Sequence, residues 1–164
     1  MTVHTPLPRP DRGALPVGLI DEADAITRSA IILLRCWCTG GESRKHIAAQ
    51  FRDVLPAEAA RDAVRDFDAL MELTLAAARR PLMRHELDCR CMGGDENAFA
   101  QMIVAGAAGD HDDALLFACV LMTGPAAFEA GRLSIALGQP FLRLATAHGR
   151  DPHPTHSTPA SRVH

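Results

Sequence analysis

From Ile20 to Trp37 apolar residues return every three or four positions: Ile20, Ala23, Ile26, Ala30, Leu33 or Leu34, and Trp37. This is the stripe of an amphipathic helix. Asp21, Glu22 and Asp24 fall in its first turn, where the helix dipole favours acids. Its end is expected at Cys36-Trp37-Cys38, because Gly40 and Gly41 accept the positive φ of a helix C-terminus. Ser43 then suits the cap of a second helix with Ile47, Phe51 and Val54 or Leu55 on one side, and Pro56 suits the first turn of a third. That third helix has the clearest period. Ala60, Val64, Phe67, Met71, Leu75 and Ala78 oppose Arg61, Asp62, Arg65 and Asp66, and Pro81 closes it.

Leu82 to Gly94 lacks a period and is expected to be irregular. Asp95 and Glu96 then open a fourth helix with Phe99, Met102 and Ile103, ending at Gly109. Asp110 caps a fifth. Ala114 to Met122 is apolar all round, which places that helix in the middle of a bundle. A sixth carries Phe128, Leu133, Ala136 and Leu137 and stops before Gly138 and Pro140, with a short apolar element at Phe141 to Leu144. The expectation is an all-α, compact bundle of about six helices spanning 19–147. An extended, proline-bearing N-terminal arm at 1–18 precedes it, and a disordered, His- and Pro-rich tail follows at 148–164.

Composition supports helices: 48% of the 164 residues are hydrophobic, only 4% are aromatic, and Tyr is absent. A chain of this length buries enough surface to fold as one domain without disulfides. The formal net charge of -3 offers no general attraction to nucleic acid or anionic lipid. Arg79, Arg80, Arg84, His85 and Arg90 form the most basic stretch, and such a run is ordinarily a solvated face, so nucleic acid is not an expected partner. No apolar run approaches the roughly 20 residues that span a bilayer, and no signal pattern opens the chain; membrane association is not expected and the cytoplasm is the expected compartment.

Five cysteines in a reducing compartment turn attention to metal or redox chemistry rather than bridges. Four of them form two C-x-C pairs with the same residue order: Cys36-x-Cys38-x-Gly40-Gly41-Glu42 and Cys89-x-Cys91-x-Gly93-Gly94-Asp95-Glu96. Thiolates are strong zinc ligands and close tetrahedral Cys₄ or Cys₃His sites. The first candidate set is Cys36, Cys38, Cys89 and Cys91; the second is His85, Cys89 and Cys91 with one further donor. Converging sulfurs need bent backbone, because a C-x-C on a regular helix sends its two side chains apart at about 100° per residue. His46 and His111 are further donors near the turns. An iron–sulfur cluster ranks behind zinc, since the spacing matches no usual cluster run.

Against metal stands plain burial, the common fate of free cysteine and the simplest account of Cys119. Redox chemistry is a further alternative, with Arg35, Arg84 and Arg90 near the pairs to favour a thiolate and Glu42, Asp95 and Glu96 to oppose it. The same acids argue against a phosphate cradle at either glycine pair. No H-E-x-x-H, G-x-S-x-G or EF-hand pattern occurs, so an enzyme is not the leading expectation. The expected function is a small protein with a cysteine-ligated zinc in a structural or regulatory role. The alternatives are a cofactor-free interaction module or homo-oligomer, and a thiol redox sensor.

Overall fold

A computed structural model describes residues 12–148. Among them six helices follow in order: α1 (Ala25–Thr39), α2 (Gly41–Val54), α3 (Ala57–Ala76), α4 (Gly94–Ala108), α5 (His111–Leu121) and α6 (Gly124–His148). The fold is all-α, apart from one small antiparallel sheet in which β1 (Pro16–Leu19) pairs with β2 (Cys91–Gly93). None of the described helices is long and apolar enough to cross a membrane.

The core grows from the helix stripes. Phe51 of α2, Phe67 of α3, Phe99 of α4 and Phe141 of α6 are all fully buried and meet as tilted and edge-on rings with centroids 5.8–6.4 Å apart. Such arrangements match the positive ring edge to a negative face. Helices α4 and α6 cross at backbone contact: a Cβ on Gly106 would run into the Ser134 carbonyl, and one on Gly138 into the Gly106 carbonyl. Glycine is needed there for lack of space.

Several boundaries depart from the periodicity. Asp24 is the N-cap of α1, accepting from Ile26 N and Thr27 N at 3.0 Å each, while Asp21 and Glu22 lie in a separate 3₁₀ turn ahead of it. Helix α2 begins at Gly41 rather than after Ser43, and α3 ends at Ala76, five residues before Pro81. Helix α6 runs through Gly138 and Pro140 to His148. Proline there removes one intrahelical bond, but Leu133, Leu137, Phe141 and Leu144 lie on one buried face and keep the helix on the core. His148 ends that helix, 3.4 Å from the Ser29 hydroxyl, rather than starting a tail; the rest of the expected tail lies outside the described residues.

Helix α5 is peripheral, not central. Its small residues Ala114 and Ala118 are buried, the former beside Gly131 of α6, while Leu116 and Val120 are 60% and 57% exposed. An all-apolar run does not say which face has room for a neighbour, and here the small side chains take the close contact. The N-terminal arm is also more than an arm. Its residues 12–14 form a 3₁₀ turn and Pro16–Leu19 pairs with the cysteine loop, carrying order beyond the expected boundary at 19.

Candidate functional site

The chain between α3 and α4 has little regular structure, yet buried charges hold it at many points. Arg35 of α1 is wholly buried in an otherwise apolar stretch. Its guanidinium makes five hydrogen bonds: Nε to Glu96 Oε1 at 2.7 Å, Nη2 to Glu96 Oε2 at 2.9 Å, Nη1 to the carbonyls of Glu86 at 3.0 Å and Cys89 at 2.6 Å, and Nη2 to the carbonyl of Cys91 at 2.6 Å. A guanidinium has five N–H donors in a fixed fork. All five are used.

Glu96 is the complementary hub, equally buried. Besides Arg35 it accepts from the backbone N–H of His85 at 3.0 Å and of Gly93 at 2.8 Å, and its Oε2 lies 3.0 Å from His85 Nδ1. The Gly93 contact is the N3-to-N-cap half of a capping box, tying the carboxylate to the start of α4. Burial alone would raise the Glu96 carboxyl, but the hydrogen bonds from Arg35, Gly93 and His85 outweigh it and hold the group below the usual carboxylate range. Glu96 is therefore a carboxylate, which only accepts, so His85 Nδ1 carries the hydrogen.

Asp95, also buried, forms a two-pronged pair with Arg80 at 2.6 and 2.7 Å and accepts from Met83 N at 2.9 Å. The loop backbone is thus held at Met83, His85, Glu86, Cys89, Cys91 and Gly93 by three charged side chains. Gly93 lacks a Cβ because the His85 ring packs over it; a Cβ would meet His85 Cε1 at 3.1 Å and the Gly13 carbonyl at 3.0 Å.

The cysteines divide. Cys36 and Cys38 share the regular helix α1, and two positions on a helix are about 200° apart. Cys36 is in the hydrophobic core at 3% exposure, and burial pushes its thiol up. Cys38 is half-buried: burial pushes its thiol up, the charge and hydrogen bond of Arg84 pull it down, and Glu96 pushes it up again, with a net rise. Cys89 and Cys91 are neighbours. A hydrogen bond with Cys89 is the largest push raising the Cys91 thiol, followed by the Cys89 charge and burial, against the pull of Arg35. All five cysteines are free.

Of the predicted donors, His85 thus hydrogen-bonds Glu96, the Glu96 charge bears on Cys38 and Cys91, and Cys89 neighbours Cys91, while Cys36 is buried in the core. Among the described residues no three or more His, Cys, Asp or Glu side chains are grouped so as to hold a metal ion as they stand. His46 lies on α2 with its Nε2 2.9 Å from Gln50 Nε2, and His111 is the exposed first residue of α5. Of the arginines expected to favour a thiolate, Arg35 is committed to Glu96 and the loop carbonyls, Arg90 pairs with Asp21 at 2.6 Å, and Arg84 meets Cys38. An open groove of about 410 Å³ lined by Asp53, Val54, Gln139, Leu142, Arg143, Thr146 and Ala147 has no cysteine or histidine in its wall.

The clamp itself was not anticipated. Two signals for it stand in the sequence: an arginine interrupting the apolar run Ala30 to Cys38, and a glutamate at the third position of a helix that opens after glycines. No protein-family model, curated protein or solved structure matches the chain.

Proposed function

We propose that this is a small helical metal-binding protein, taking a thiophilic divalent ion of the zinc type on Cys38, Cys89, Cys91 and His85 in a structural or regulatory role. The supporting observation is that the buried Glu96–Arg35 pair hydrogen-bonds both the His85 ring and the carbonyls of Cys89 and Cys91, fixing three candidate donors in one anchored loop. Three sulfurs and one imidazole make a closed tetrahedral set, the usual composition of a structural zinc site. Uptake requires the donors to draw together from their present positions and Cys38 to exchange Arg84 for the ion. Cys36 is left out of the set because its helix directs it to the core.

The upward push on Cys38 and Cys91 opposes a standing thiolate at either position. A redox thiol needs a standing thiolate, whereas a metal displaces the thiol proton as it binds. The test is metal content of protein made without a His-tag. One equivalent of metal is expected in wild type and in Cys36→Ser, with loss in Cys38→Ser, Cys89→Ser and Cys91→Ser. A folded wild type that stays metal-free after zinc dialysis overturns the proposal.

A second reading, a cofactor-free interaction module, is favoured by exposed apolar side chains: Leu116 and Val120 one turn apart on α5, and Phe128, 70% exposed, at the start of α6. Sedimentation over a wide concentration range tests self-association; a monomer throughout counts against that form of it.

A further inference from the structure

Three consecutive carbonyls in the cysteine loop alternate in direction. Those of Cys89 and Cys91 both accept from the Arg35 guanidinium at 2.6 Å, while that of Arg90 between them turns to β1 and accepts from Ile20 N at 2.9 Å. Such alternation is extended chain, in which side chains two positions apart share a face. Cys89 and Cys91 therefore stand on one face, where a hydrogen bond joins their sulfurs. The Arg90 side chain leaves on the other and pairs with Asp21 at 2.6 Å. Both cysteines are free and partly exposed. Contact between two thiols and access from solvent are what thiol–disulfide exchange requires.

We infer that Cys89 and Cys91 are a dithiol modification site, closing to a disulfide within the loop by exchange with a low-molecular-weight disulfide, and that closure loosens the hold of Arg35 and β1 on this loop. Cys89, which accepts the hydrogen of the Cys91 thiol, gives up its own proton and attacks the reagent, forming a mixed disulfide and expelling one small thiolate. Cys91 then loses its proton and attacks the Cys89 sulfur, expelling the second. Two protein thiols are oxidised to one disulfide, and one small disulfide is reduced to two thiols that carry away both protons.

The coupling to the backbone is geometric. In extended chain the Cβ atoms of residues two apart are about 6.6 Å apart, whereas a disulfide needs them at about 3.5–4.5 Å. Ring closure must buckle the Arg90 peptide, so the carbonyl bonds of Cys89, Arg90 and Cys91 cannot all be kept. A disulfide opposed by its surroundings is the more readily reduced, which suits a reversible one.

The test uses the metal-free full chain equilibrated with oxidised and reduced glutathione in a series of ratios, quenched by alkylation and read by mass spectrometry. A form two hydrogens lighter, with the loss confined to the 89–91 segment, is expected to rise with the oxidised share and to vanish when the ratio is reversed. Cys91→Ser should stop at the mixed disulfide with one glutathione on Cys89, and Cys38→Ser should close the ring as wild type does. Hydrogen exchange of the Ile20 amide and of the Arg35 guanidinium should be faster in the oxidised chain. A wild type that yields only mixed disulfides, or a bridge from either cysteine to Cys38, overturns the dithiol site. Exchange at Ile20 and Arg35 as slow in the oxidised as in the reduced chain overturns the coupling to the backbone. No ion takes part, so failure here leaves the metal-binding proposal standing, and failure of that proposal leaves this one.

Discussion

The segments 36–42 and 89–96 carry the same order of residue types and adopt unlike structures. In the first, both cysteines are helical and the glycines end the helix: Gly40 and Gly41 have φ of 74° and 55°, with nothing near a would-be Cβ. In the second, the cysteines are in loop and strand. Gly93 has an ordinary φ of -83° and is glycine because the His85 ring and the Gly13 carbonyl occupy the space of a Cβ. What precedes each decides its state. Fourteen residues of α1 carry the helix through Cys38, whereas the chain after Pro81 has no period to carry and takes its shape from Arg35, Glu96 and Asp95. One glycine pair answers a backbone demand, and in the other Gly93 answers a packing demand.

The sharpest way to break this contrast is to remove a buried partner. Glu96→Ala leaves Arg35 buried without its counter-charge and is expected to cost about 3–5 kcal/mol. The acid of the first segment, Glu42, which aligns with Asp95, belongs to an exposed pair with Lys45, and Glu42→Ala should not change stability measurably. Denaturant unfolding of both variants compares them directly. Equal midpoints would mean that the charge cluster does not hold the second segment.

Exchanging the cysteines gives a smaller separation. In metal-free protein Cys36→Ser buries a hydroxyl in the core and should lose about 1–3 kcal/mol, while Cys91→Ser, outside the core, should unfold close to wild type. Alkylation sharpens the same point. Cys36 should be the slowest thiol to react, and the rise of Cys38 reactivity with pH should lie above that of an unperturbed thiol, because burial holds it protonated. Mass spectrometry of the labelled peptides reads both.

Gly40→Ala should cost about 1–3 kcal/mol from backbone strain alone, because φ 74° with ψ -165° is a conformation reserved for glycine and its surroundings are open. A thermal melt that matches wild type would show that the helix end does not need the positive φ.

The smallest effect is at the other end of α1. Asp24→Ala removes the N-cap and should cost about 1 kcal/mol. Burial would raise the Asp24 carboxyl, but hydrogen bonds from Thr27 and Ile26 outweigh it and lower its pKa. A group lowered in the folded state contributes stability above its unfolded pKa and loses it as pH falls through the folded one. Asp24→Asn, which retains an acceptor, should therefore show a shallower loss of stability in acid titration than wild type.

Periodicity was enough to read six helices, the Gly109 stop and the Asp110 cap, because those features follow from residues three or four apart. The course of α6 through Pro140 was not legible. A proline's local cost is visible in sequence, whereas the burial of Phe141 and Leu144 that offsets it is not. The same holds for α5, whose apolar run was read as central until its small face met Gly131 and left Leu116 and Val120 outside.

For the candidate site, residue type and spacing singled out Cys36, Cys38, Cys89 and Cys91, with His85 in a second set, and only the tertiary structure showed Cys36 to lie in the core. Helical phase turns Cys36 inward, and no spacing rule applies until the helix is known to continue that far. Nor does local sequence mark Arg35 and Glu96 as partners, for they are 61 positions apart. Short-range spacing determined the helices and the candidate donors. The joining of α1, the cysteine loop and the start of α4 was decided by burial, because a charge removed from water must find its partner wherever the fold brings one.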